Sequence, residues 1–400
     1  QVYETALVPP QTDVITDFLE SGDGTWVQNA LPGQINETGM WNSAYDPVLD
    51  MYVTCAQTGP EQQTESKFGI WYSKDGKTWS VCNGPFVSSV NKTGDWNAWA
   101  GVASNGAGRF IAVVQGSGSL LNGLQQAMYS DDGITWTQGS GLPSSDIPWS
   151  VCTYGGGNVY ASGNETTYWT TNCTSWTAVQ GITNQLGTGH GASDGTTTLI
   201  VSASTLYTTS NNTGVSVSAI SVDSDMGNLN GAAYGNGVWV VVGSGPAGSK
   251  GGIFSATDPA GTWTRRVAAA MYWKDVAFTN GVFVAVAQGG TSSDQKQFAY
   301  STNGVNWIFI DPPSNSEWYN IVGSPSGFVA ILYQGGSAPR TAFSATGTGS
   351  DTISTLTFTG NKNLDTFSSG QSVKQNSGGA PETSSIISVN RIEVSGEFQF

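Results

Sequence analysis

Histidine is almost missing from this chain: among 400 residues there is one, His190, beside four cysteines. A single imidazole with no second one and no suitable carboxylate spacing argues against a metal centre or a Ser-His-Asp triad, so neither metal nor cofactor is expected. Charge is scarce too, at 11% of residues, and basic residues are scarcest: 14 Lys and Arg against 29 Asp and Glu leave a net charge of −15 and a pI near 4.2. Such a surface repels phosphate backbones and anionic lipid, which excludes nucleic acid as a partner. No apolar run approaches the ~18 residues of a membrane span, and the opening "QVYETALVPPQ" has neither the basic head nor the apolar core of a secretion signal. Helix-forming runs of Glu, Lys, Leu and Ala are nearly absent.

What is plentiful is glycine, 53 residues of it, with Ser, Thr and Asn, a composition that suits short strands and many turns. One stretch recurs. "GIWYSKDGKTWSV" (Gly69 to Val81) has near-copies at "AMYSDDGITWTQ" (Ala127 to Gln138), "TYWTTNCTSWTAV" (Thr167 to Val179), "GIFSATDPAGTWTRR" (Gly252 to Arg266) and "FAYSTNGVNWIFI" (Phe298 to Ile310). Each reads as a β-hairpin: an apolar run ends in Ser or Thr, Asp-Gly or Asn-Gly supplies the positive φ and the back-bonding side chain of a tight turn, and a second strand opens at a Trp. Turn chemistry does not require Trp79, Trp136, Trp176, Trp263 and Trp307, so their expected job is to fill the gap between neighbouring sheets.

A second unit precedes each hairpin, as in "WAGVASNGAGRFIAVV" (Trp99 to Val114), "NGAAYGNGVWVVVG" (Asn230 to Gly243), "WKDVAFTNGVFVAVA" (Trp273 to Ala287) and "WYNIVGSPSGFVAIL" (Trp318 to Leu332). Together the two units make four antiparallel strands, one propeller blade. The degenerate "LYTTSNNTGVSV" (Leu206 to Val217) counts as a hairpin with Val217 in the Trp position. The last unit reaches its third strand at "TAFSAT" and stops, while "GDGTWVQ" (Gly22 to Gln28) is an orphan turn and strand at the other end. Joining the two closes the ring, and the spacing from Trp26 to Trp307 gives six intervals of about 47 residues, hence seven blades. The expectation is an all-β, seven-bladed β-propeller over residues 22–350.

These turns resemble the Asp-box (BNR) repeats of sialidase-like propellers, Ser-x-Asp-x-Gly-x-Thr-Trp, through Ser73, Asp75, Gly76, Thr78 and Trp79 and through Ser130, Asp132, Gly133, Thr135 and Trp136. Both copies lack one residue between Asp and Gly, so the resemblance is to a shortened relative and speaks to fold more than to activity. Sialidases, as the resemblance implies, hold a carboxylate with three Arg. This chain has Arg109, Arg265, Arg266, Arg340 and Arg391, with Arg265 and Arg266 on an outer strand and Arg391 in the tail, and three that converge cannot be assembled. Other glycosidases need two carboxylates facing across a ring. Asp95, Asp146, Asp275 and Glu317 fall near blade starts without a distinctive setting and read as solvated loop carboxylates. Asp223, Asp225 and Asn228 loosely imitate a Ca²⁺ loop without its terminal Glu and read as an ordinary connection.

Outside the ring, residues 1–21 form an N-terminal arm and residues 351–400 a small β module with Leu356, Phe358, Leu364, Phe367, Val373, Ile387, Val389 and Ile392 as its thin core. The module resembles small β modules of phage and plankton-virus fibre proteins. Fifty residues bury too little to be secure alone, so a strand from the arm at residues 2–8, folding back or reaching into the next copy, is a candidate to complete it, and the competing reading is that both ends are loose extensions.

Five sequons, at Asn36, Asn91, Asn164, Asn172 and Asn211, mark candidate glycosylation sites, although a chain so rich in Asn and Thr produces about this many by chance. Cys55 and Cys82 would lie at the same end of one sheet and are the expected disulfide, with Cys152 and Cys173 left as thiols. The residue that opens the innermost strand of each blade reads Trp41, Trp99, Trp149, His190, Asn230, Trp273 and Trp318. Trp41, Trp99, Trp149, His190, Trp273 and Trp318 are thus candidates for a glycan platform at one mouth of the channel, and the competing reading is that the indoles wedge between blades. The expected function is a non-enzymatic, extracellular (secreted) or virion-surface structural protein that associates with copies of itself. A glycan-binding lectin-like propeller is the alternative and a glycoside hydrolase the third reading.

Overall fold

The computed structural model describes residues 25–32, 39–57, 69–83, 99–114, 127–143, 149, 151–155, 157–163, 166–182, 190–202, 205–210, 218–220, 226–244, 251–268, 271–288, 296–314, 316–333 and 339–348, with 363–364 and 375–376 beyond them. The chain divides into two compact units, Thr25–Gly349 and a second that combines Gln1–Gly24 with Ser350–Phe400. In the second unit the described residues form one short antiparallel pair, Asn363–Leu364 with Gln375–Asn376. The arm at 1–21 and the remaining strands expected in the tail lie outside the described residues.

The first unit is a ring of seven four-stranded antiparallel sheets. Blade 1 runs from Gly39 to Val81, blade 2 from Trp99 to Gln138, blade 3 from Val151 to Ala178, blade 4 from Ala192 to Ile220, blade 5 from Asn228 to Ala268, blade 6 from Tyr272 to Ile310 and blade 7 from Trp318 to Ser344. Val27–Asn29 supplies the outer strand of blade 7, with Val27 opposite Phe343, Gln28 opposite Ala342 and Asn29 opposite Thr341. Innermost strands touch those of the blades on either side, and blade 7 meets blade 1, so the ring is closed. The second strand of a blade is covered on both faces by its neighbours, which is why "VFVAVA" of blade 6 and "GFVAIL" of blade 7 are continuous buried apolar runs rather than alternating ones.

The recurring hairpin works as its sequence implies. Asp75 Oδ1 accepts the amides of Lys77 and Thr78 at 2.8 and 2.6 Å, while Ser73 Oγ accepts that of Gly76 at 2.9 Å. Asp132 and Asn303 repeat the arrangement with Ile134 and Thr135 and with Val305 and Asn306. The turn glycine is also a packing requirement: Gly76 has φ +69°, and a Cβ there would stand 2.7 Å from both Phe343 and Val329 of blade 7. Trp79 joins Val329, Ile331 and Phe343 in the core between blades 7 and 1, and Trp136 lies with Met51 and Val53 between blades 1 and 2. Trp26 meets Phe298 of blade 6 edge to face at 4.8 Å. Outer-strand tryptophans are therefore the mortar of the ring.

The disulfide expected between Cys55 and Cys82 is not formed; both are free, buried thiols. Cys55 pairs with Ile70, and the amide of Cys82 bonds the far side of Ile70, so a whole strand separates them. Two strand spacings come to roughly 10 Å, beyond the ~7 Å that a disulfide spans.

Candidate functional site

The inner strands carry a shared irregularity. In blades 1, 2, 5, 6 and 7 the pairing with the second strand slips by one residue at Trp41, Ala100, Asn230, Lys274 and Tyr319, each a β-bulge near the strand start. Ahead of the bulge stand Met40, Trp99, Leu229, Trp273 and Trp318, and behind it Asn42, Gly101, Gly231, Asp275 and Asn320. Trp41 and Asn230 are thus one position out of line with Trp273 and Trp318, and the equivalent residues are Met40 and Leu229.

Burial decides what the indoles do. Trp149, Trp273 and Trp318 are each 0% exposed. A face that no solvent reaches cannot stack on a sugar, so the platform expected from these three is corrected to interblade packing: Trp273 sits in the core with Val267 and Ala299, and Trp318 meets Phe298 at 5.2 Å. The side chains of Trp41 and Trp99 lie outside the described residues.

Two of the residues behind the bulge, Asp275 and Asn320, anchor a polar belt that links blades 4, 5, 6, 7 and 1. Asp275, read from sequence as a solvated carboxylate, is fully buried. Its Oδ1 accepts the amides of His190 (3.0 Å) and Val276 (2.9 Å), and its Oδ2 accepts the amide of Ile321 (3.1 Å) and Asn320 Nδ2 (2.7 Å). Asn320 Oδ1 takes the amide and hydroxyl of Ser43 in blade 1, and the His190 carbonyl takes the amide of Ala232 in blade 5. Gly231 makes room for this: a Cβ there would fall 2.3 Å from Asp275 Oδ1. The His190 ring, which enters just ahead of blade 4, crosses to blades 6 and 1, with Nδ1 2.7 Å from Asp275 Oδ2 and Nε2 2.7 Å from the Ser43 carbonyl. Both neighbours are acceptors, an arrangement that suits a doubly protonated ring with each nitrogen donating. Burial alone depresses its pKa, but the charge and hydrogen bond of Asp275 and the Ser43 carbonyl outweigh burial and raise it.

On the strand-end side of this belt the channel widens into a cavity of about 680 Å³, walled by small residues such as Ala44, Ala103, Ala232 and Ala277 and collared by Tyr45, Tyr234 and Phe278. On the strand-start side, between blades 6 and 7, Lys274 Nζ lies over the Tyr319 ring at 4.9 Å, and Tyr319 stacks on Tyr333 with centroids 5.0 Å apart. Sequence reasoning missed this cluster because the bulge hides Lys274 and Tyr319 one step behind the more conspicuous tryptophans.

Of the sequons, Asn172 is the one among the described residues. It is half-buried at a hairpin tip, where its Oδ1 accepts the amides of Thr174 and Ser175, and its Nδ2, the atom a glycan would join, makes no hydrogen bond to a described residue. Asn36, Asn91, Asn164 and Asn211 lie outside the described residues, as do Asp95, Asp146, Asp223 and Asp225. Among the described residues no cluster of His, Cys, Asp or Glu has the make-up of a metal site, and no helix is long and apolar enough to cross a membrane.

No protein-family model and no curated protein matches the sequence. Solved structures do. A catalytically inactive virginiamycin B lyase from Staphylococcus aureus with quinupristin superposes with a TM-score of 0.57 at 9% identity, covering 80% of this chain and 99% of that one. YCF48 bound to D1 peptide gives 0.53 at 15% identity, over 82% and 96% of the two chains. The extracellular domain of BT4673 from B. thetaiotaomicron gives 0.53 at 9% identity, over 86% of this chain and 43% of that one. At such identities the likeness concerns the fold alone, and it places the chain in the class of seven-bladed β-propellers.

Proposed function

We propose that this chain is a non-enzymatic extracellular or virion-surface propeller that associates with copies of itself through its terminal β segments. The observation that carries the reading is where closure is made: the ring seals itself with Val27–Asn29, so neither Gln1–Gly24 nor Ser350–Phe400 is needed to complete it. β segments left over from a closed ring are suited to strand exchange, and head-to-tail exchange that does not close grows a filament. His190 in particular is poorly placed as a general base, because each ring nitrogen already faces an acceptor, the Asp275 carboxylate on one side and the Ser43 carbonyl on the other. Negative-stain microscopy and sedimentation of the full chain against one lacking residues 1–21 test this. Fibres or oligomers from the full chain alone are expected; dispersed single discs from both would overturn it.

Glycan binding is the second reading, and one observation favours it. Half-exposed Tyr319, Tyr333 and Lys274 gather at the strand-start mouth of the channel, where the buried tryptophans do not reach the surface. A glycan array probed with the native protein and with Tyr319→Ala tests it, retention by the native protein alone being the expected result.

A further inference from the structure

The mouth between blades 6 and 7 pairs its aromatic surface with a cation. Building on the glycan-binding reading, we infer that this mouth binds an acidic saccharide, with the sugar ring against the tyrosine cluster and its carboxylate on Lys274.

The first support is internal. Repeats of one chain allow position-by-position comparison: ahead of the bulge the five residues are all large and apolar, behind it they are Gly, Asn or Asp, but at the bulge itself they are Trp41, Ala100, Asn230, Lys274 and Tyr319. The scaffold dictates the flanks and leaves the bulged position free, and a bulge is a device that re-aims a side chain.

The second support is charge. In a chain of net charge −15, Lys274 is half-buried and its ammonium makes no hydrogen bond to a described residue. Glu317 acts on it through its charge. By contrast Lys74 donates to the Leu49 carbonyl, and Lys296 reaches the Phe309 carbonyl and Asp311. Burial depresses the Lys274 pKa and Glu317 restores part of it, the mark of an ammonium whose lost hydration is incompletely replaced. A carboxylate delivered to Nζ would supply the missing acceptor.

The third is shape. Tyr319 and Tyr333 stack with their planes 29° apart, and Tyr272, two residues before Lys274, is 42% exposed. Flat rings with hydroxyl edges match the alternating C–H faces and hydroxyls of a pyranose.

Saturation-transfer NMR on the full chain with methyl glucuronide and methyl glucoside, each across a salt series, tests the inference without any variant. Tighter binding of the glucuronide, by about tenfold to a hundredfold and weakening with salt, is the expected result, the range of a charge-assisted hydrogen bond. Lys274→Met should remove that preference while leaving the glucoside signal, and Tyr319→Leu should lower both. Equal binding of the two sugars overturns the acidic class and leaves glycan binding standing. If neither sugar binds and the array is silent, the site and the glycan reading fail together.

Discussion

Because the chain has one histidine, the charge state of its channel can be measured without ambiguity. His190 is held between Asp275 Oδ2 and the Ser43 carbonyl, both at 2.7 Å, and its side chain is 18% exposed. Removing the Nε2 proton leaves a lone pair facing a carbonyl, which forfeits one buried hydrogen bond and strands its acceptor at a cost of about 1–3 kcal/mol. The sign follows from linkage: a folded-state pKa raised above the unfolded value near 6.5 means that the contribution is complete below that value and disappears as pH climbs through the folded pKa. Among the described residues Asp275 is the charged group that faces the ring. Asn320 and Ser43, which complete the circuit, do not titrate. Tyr45, which lines the cavity beyond, is held above its ordinary range by burial and by its bond to Asp50. Denaturant midpoints at a series of pH values from 6 to 9 should therefore fall more steeply for the native protein than for His190→Gln, the difference between the two curves reaching about 1–3 kcal/mol. Nitrogen-15 spectra of the imidazole should show two protonated ring nitrogens at pH 6.5. A neutral tautomer at that pH, or parallel stability curves for the two proteins, refutes the reasoning.

Three further outcomes are expected. Gly195→Ala, at φ +90° with open space around it, should cost only backbone strain of about 1–2 kcal/mol, whereas Gly76→Ala adds the clash with Phe343 and Val329 and should cost about 2–5 kcal/mol by urea denaturation. Cys55, Cys82 and Cys173, whose thiols burial pushes up to about 12, should resist maleimide in the native protein and react on unfolding, with the same Tm in the presence and absence of reductant. Burial pulls the Asp75 and Asp132 pKa values upward, but the amides and hydroxyls of their own turns outweigh it and hold both below the usual range. Their stabilising effect is present above about pH 4 and lost as pH falls through the folded values, so Asp132→Asn should flatten the acid limb of a Tm-versus-pH curve.

The features that were legible in the sequence are those settled within a few residues or by counting. Asp75-Gly76 declares its turn because donor, acceptor and the left-handed glycine lie within four positions. Ring closure was legible because an orphan strand at Trp26 and a missing one after Phe343 are two halves of one sum, and Val27 does pair with Phe343. The disulfide failed for a geometric reason: lying at the same end of a sheet is not adjacency, and Ile70 stands between the two cysteines.

The belt was illegible because it exists only once the ring has closed. Asp275 takes its partners from 85 residues earlier and 45 later, and nothing around it in sequence separates it from a loop carboxylate. The bulge added a second obstacle. A strand's alternation is read in twos, so one inserted residue moves each later side chain to the other face, and an alignment anchored on Trp41 and Trp273 joins positions that differ by that step. Aligning instead on the residue behind the bulge brings Asn42, Gly101, Gly231, Asp275 and Asn320 into one row of small or hydrogen-bonding residues. That row was present in the sequence as a pattern, and it became readable only when the slip in register identified which tryptophans belong to it.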